Sequence, residues 1–152
     1  MYTTRHVQRT SATRAAVYRA CLDADTVAIW IVPDGMRSEV HAFDARVGGA
    51  FRISLTYDAP GEAGKTSAHT DTFHGRFVEL VPDERIVQTV AFETADPAMQ
   101  GDMRVTITLV DAPGGTDIHY VHEGVPDAIP PADNEAGTRM SLAKLARLAE
   151  GV

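Results

Sequence analysis

At 152 residues the chain fits one domain that can bury roughly 70% of its unfolded surface, so a core needs no disulfide or metal to hold it. With 44% apolar and 23% charged residues it is neither disordered nor fibrous. The net charge of −7, with 14 Lys and Arg spread along the chain, argues against nucleic acid and acidic membrane surfaces, both of which call for clustered cations.

The first element expected is a short strand over Thr3–Thr10. Ser11 offers an N-cap for a helix in which Ala16, Val17, Ala20 and Cys21 recur at helical spacing. Asp23 then caps a second short helix whose inner face is Val27, Trp30 and Ile31, ended by Pro33 and Gly35.

From Met36 to Glu123 the period changes to two. Phe51, Ile53, Leu55 and Tyr57 alternate with polar residues, as do Phe73, Gly75 and Phe77. Ile86, Val90 and Phe92 share a strand face with Gln88, while Met103, Val105, Ile107 and Leu109 face away from Arg104, Thr106 and Thr108; the last strand alternates Ile118, Tyr120 and His122. Gly48-Gly49, Pro82-Asp83 and the run Asp111 to Gly115 supply turns, and strands joined by short turns are antiparallel. Two connections are longer. Asp58 to Asp71, rich in small residues, reads as a mobile loop or a lid, and Val125 to Ala132 carries Pro126, Pro130 and Pro131. Asp133 is the expected N-cap of a final amphipathic helix with Thr138, Leu142, Leu145 and Ala149 in one stripe. No repeat or linker divides residues 1–152, so one domain is expected.

Chemistry-bearing residues give no constellation. His119 and His122 are three apart in a strand and point to opposite faces, which disfavours a shared metal ion. His6, His41, His69 and His74 have no ligand spacing, and Cys21 sits on an apolar stripe as a core residue. One cysteine excludes an internal disulfide. There is no nucleophile elbow and no phosphate-binding glycine loop. Neither catalytic residues nor a metal or cofactor are therefore expected. Arg52, Arg76, Arg104, His74 and His119 fall on the outer face, and a buried Tyr120 or His122 would need a polar partner.

A strand, two short helices, six further strands and a long final helix is the order of the α+β helix-grip fold of START-like and birch-pollen-allergen-like proteins. Asp44-Ala45-Arg46-Val47-Gly48-Gly49-Ala50-Phe51-Arg52 resembles a D-x-R-x-G-G hairpin of proteins similar to the C-terminal domain of the activator of heat-shock protein 90 ATPase. Val17, Tyr18, Ala20 and Trp30 resemble that family's opening, Val81 to Val87 its proline-containing turn, and Gly137 to Leu145 its G-W-x-x-x-L-x-x-L helix, with Thr138 where tryptophan is usual.

That resemblance implies a strongly curved sheet of about seven strands around the final helix, with a cavity between them. Trp30, Phe51, Ile53, Phe77, Phe92, Ile107, Tyr120 and Leu142 are the expected ligand-contacting wall, and each serves equally as core. Thr138 implies either a roomier cavity or compensation by a neighbour such as Met140. The expected function is to bind a small hydrophobic or amphipathic molecule in the cytoplasm. Its alternatives are a co-chaperone-like ATPase activator working through its surface, and an aromatase/cyclase-like or hydrolase-like enzyme using the same cavity. Neither nucleic acid nor membrane is an expected partner, and self-association as a homodimer stays open.

Overall fold

The computed structural model describes residues 1–58 and 70–151. In chain order the elements are β1 (Tyr2–Thr10), α1 (Arg14–Leu22), α2 (Ala24–Trp30), β2 (Met36–Phe43), β3 (Ala50–Tyr57), β4 (Thr70–Val81), β5 (Arg85–Phe92), β6 (Met103–Ala112), β7 (Gly115–Val125) and α3 (Pro131–Ala149). The strands form one curved antiparallel sheet in the order β1-β7-β6-β5-β4-β3-β2. Six strands follow one another as hairpins, and β1 closes the far side by pairing with β7.

The period-two pattern decides which face is concave. In β6, Met103, Val105, Ile107 and Leu109 are buried while Arg104 is exposed. Register aligns the strands into rows: Phe77, Gln88, Val105 and His122 share one, and Ile86, Ile107, Tyr120 and His6 share the next. These rows face α3, whose Leu142 and Leu145 are buried in the same cluster as Ile107 and Ile118. Each such aliphatic side chain, fully buried, contributes about 1.5–3 kcal/mol.

Gly75 shows how tightly this face is packed. A Cβ there would lie 1.9 Å from the Thr89 carbonyl oxygen and 2.6 Å from Cζ of Phe51, so only glycine lets the Phe51 ring lie across β4. The Asp44–Gly49 hairpin is equally specific. Gly48 takes φ +81°, and a Cβ on Gly49 would meet the Asp44 carbonyl oxygen at 2.0 Å. Arg46 Nε donates to Asp44 Oδ2 at 2.7 Å, and the turn hooks onto β4 through Gly48 N to Phe77 O (2.8 Å) and Phe77 N to Gly49 O (3.0 Å).

Helix starts differ from expectation at two of three places. Thr13, not Ser11, caps α1: after a bend at Ser11 and Ala12, Thr13 is extended and its side chain accepts from Ala16 N at 3.1 Å. Asp23 caps α2, accepting from Asp25 N and Thr26 N. Asp133 does not cap α3. The helix begins at Pro131 with Pro130 at the cap and no side-chain cap bond, since proline presets helical φ and has no N–H to satisfy. Asp133 lies in the first turn, where its charge complements the helix dipole.

Side-chain bonds hold α3 along its length. Thr4 Oγ1 donates to Asn134 Oδ1 at 2.7 Å, and Ser141 Oγ donates to Ile31 O at 3.3 Å. Lys144 donates to Val32 O and pairs with Asp34 at 3.3 Å. At the last turn Glu150 Oε2 accepts from Thr10 Oγ1 (2.7 Å) and Ser11 N (2.9 Å). The lid expected between Asp58 and Asp71 falls on residues 59–69, outside the described residues. No described helix is long and apolar enough to cross a membrane.

Candidate functional site: a cavity beneath the final helix

Between the concave face and α3 lies a cavity of 240 Å³, many times the roughly 10–15 Å³ that one water needs. Every strand from β2 to β7 and all three helices contribute to its wall. Of the eight residues expected there, Trp30, Phe51, Ile53, Phe92, Ile107, Tyr120 and Leu142 line it. Phe77 does not. It is 1% exposed and packs behind the wall, with ring centroids 5.6 Å from Phe43 and 5.5 Å from Phe51. Phe43 and Phe51 pack on its ring, so Phe77 is core.

At position 138 the wall carries threonine beside Gly137. Met140 is 38% exposed and does not line the cavity, so it does not stand in for a tryptophan. The space beside the final helix is open.

Strand periodicity alone did not bring out all of the wall's polar groups. Asp71, Gln88, His122, Asn134 and Ser141 line it as well. Gln88 and Asp71 could be placed by alternation, the first with Ile86 and Val90, the second with Phe73. Asn134 carries no such signal, because its direction depends on where α3 begins.

His122 is fixed at both ring nitrogens. Asn134 gives its carbonyl oxygen to Thr4, so its amide nitrogen, 3.2 Å from His122 Nδ1, donates to the ring. The ring proton therefore sits on Nε2, 3.2 Å from Met103 Sδ. Burial pushes the His122 pKa down to about 4, so the imidazole is neutral at pH 7. His119, on the same strand, does not line the cavity.

Tyr120 stands next to His122, rings edge to face with centroids 6.4 Å apart. It is half-buried and lines the cavity, and burial, with a smaller contribution from Cys21, raises its pKa. Trp30 donates Nε1 to the Ala20 carbonyl at 3.1 Å, which anchors the ring at the cavity wall. Cys21 is 2% exposed and its thiol is pushed up to about 12 by burial, so it is an inert wall atom at neutral pH. Arg52 and His74 lie outside on the convex face, where both meet Glu93 at 2.7 and 3.1 Å. Among the described residues no group of three or more His, Cys, Asp or Glu could hold a metal ion.

A curved antiparallel sheet gripping a C-terminal helix over a largely apolar cavity defines the helix-grip class. The family model described as Activator of Hsp90 ATPase homolog 1-like protein matches residues 11–150, and the chain belongs to that family. It is similar to a protein of solved structure from Chromobacterium violaceum, at 41% identity and TM-score 0.87 over 98% of this chain and 97% of that one. A Rhodobacter sphaeroides protein (17% identity, TM-score 0.78, 99% and 94% coverage) shares the fold. So does an AHSA1-like protein from Aeromonas hydrophila (19% identity, TM-score 0.70, 98% and 92%). No curated protein matches the chain in sequence.

Proposed function

We propose that this protein binds a small hydrophobic or amphipathic molecule in the cavity between the sheet and α3. The observation that carries the reading is the cavity itself: 240 Å³ walled mainly by aromatic and aliphatic side chains, with threonine at position 138. A core with no guest closes such space with side chains, because protein interiors pack to crystal-like density. Guest surface buried here supplies affinity at about 25 cal/mol/Å², and the few polar wall groups orient it.

The catalytic alternative has less behind it. His122, the inward histidine, is held by Asn134 and Met103, so its proton-accepting nitrogen, Nδ1, is already engaged by the Asn134 amide and does not reach a guest proton as a general base must. The surface-activator alternative rests on the family's description. Native mass spectrometry of freshly purified protein tests the binding reading. A co-purifying small molecule, or a saturable mass shift with added apolar compounds, is expected, whereas a clean apo mass that no compound shifts would refute it.

A further inference from the structure

We propose that the cavity selects uncharged amphipathic molecules, with a hydroxyl or carbonyl group read by Tyr120 and Gln88, and turns carboxylates away. This inference rests on the binding reading above.

Three observations lead to it. The first is the pair of readers. Gln88 and Tyr120 lie on the concave face in adjacent rows, on β5 and β7, and both line the cavity. Neither the Gln88 amide nor the Tyr120 hydroxyl bonds to any described residue, neither is a fully buried orphan, and both residues line the cavity. Each group can donate and accept. A guest hydroxyl or carbonyl satisfies them, whereas a purely apolar guest dehydrates them without a replacement bond.

The second is the sign of charge. Among the described residues, the charged side chains lining the cavity are Asp71 and Asp133, with no Lys or Arg. The nearest base, His122, is neutral and already bonded on both nitrogens. A guest carboxylate would be taken out of water with no Lys or Arg among the described lining residues to pair with it. Burying an unpaired charge costs far more than one neutral hydrogen bond returns.

The third is depth. Asn134 and Asp133 stand in the first turns of α3, beside the second apolar cluster of Met99, Val125 and Ile129. Tyr120 lies further in, in the same cluster as Cys21, Trp30 and Leu142. A guest polar group beside Tyr120 is therefore flanked by apolar wall, where a lost hydrogen bond costs more than in open water.

The test is calorimetric titration at about pH 7.5 with three matched probes: naphthalene, 2-naphthol and 2-naphthoate. The expected result is that 2-naphthol binds roughly three- to tenfold tighter than naphthalene, the gain of one to two neutral hydrogen bonds, and that 2-naphthoate binds at least tenfold more weakly than 2-naphthol. Tyr120→Phe and Gln88→Leu should each shrink the advantage of 2-naphthol over naphthalene, both by removing its hydrogen-bond partner and by relieving the dehydration that naphthalene imposes on that group. If 2-naphthoate binds the unaltered protein as well as 2-naphthol does, or both substitutions leave the preference intact, the polar selection is wrong and the binding reading stands. If none of the three probes binds, the binding reading fails and this inference with it.

Discussion

Replacing Thr138 by tryptophan restores the aromatic of the family helix motif and should close the site. Thr138 lines the 240 Å³ cavity and Gly137 beside it leaves room, the nearest atom to an added Cβ being Pro33 Cγ at 3.9 Å. An indole entering this space buries on the order of 120 Å² of new apolar surface, worth ~3 kcal/mol. Lost rotamer freedom and imperfect fit offset about half. Thr138→Trp is thus expected to gain ~1–2 kcal/mol, which for a domain of this size raises Tm by about 3–6 °C. The ring occupies the space a guest needs, so 2-naphthol affinity should fall at least roughly tenfold. Differential scanning calorimetry reads the first effect and isothermal titration the second. A lower Tm together with unchanged probe affinity would refute the placement of residue 138 on the cavity.

Other substitutions and conditions separate the remaining parts of the account. Phe77→Ala, behind the wall, should cost ~3–5 kcal/mol in urea unfolding, whereas the half-buried Phe92 should cost less on truncation and weaken probe binding; equal stability losses would contradict their different placement. The folded pKa of His122 is depressed to about 4 from 6.5, so the unfolded chain takes up the proton first. The stability this represents is complete above about pH 6.5 and lost as pH falls toward 4, by up to ~3 kcal/mol. His122→Gln should flatten the pH dependence of Tm between 6.5 and 5, leaving a smaller slope from His6, whose pKa burial also lowers; an unaltered slope would refute the assignment. With its thiol pushed up to about 12, Cys21 should react with a disulfide reagent at pH 8 only as fast as the protein opens, and prompt labelling of native protein would place the thiol elsewhere.

The sheet was legible because its signal is local. Alternation in Met103–Leu109 and Phe51–Leu55 sets the concave face without knowledge of any partner strand. The helix caps were less so, since Ser11, Thr13 and Asp133 are all good capping residues and the choice among them depends on how far the preceding strand or proline turn extends. In the site, inward direction together with the cavity implied by the family resemblance picks out seven aromatic and aliphatic residues that line it. Phe77 also points inward, yet Gly75 lets Phe51 lie across β4, and only the packing of Phe43 and Phe51 on it reveals Phe77 as core. The Thr4–Asn134–His122 chain joins residues 130 and 12 positions apart, and no local pattern could foretell it.

Uptake of a guest into the cavity is open to one direct optical measurement. Trp30 is the only tryptophan of the chain and lines the cavity, so its fluorescence should respond to a guest that itself neither absorbs nor emits in that range, such as 1-octanol. A saturable one-to-one change on titration is expected, reversed by competition with a tighter guest. A spectrum that stays constant, or drifts linearly without saturating, would contradict it.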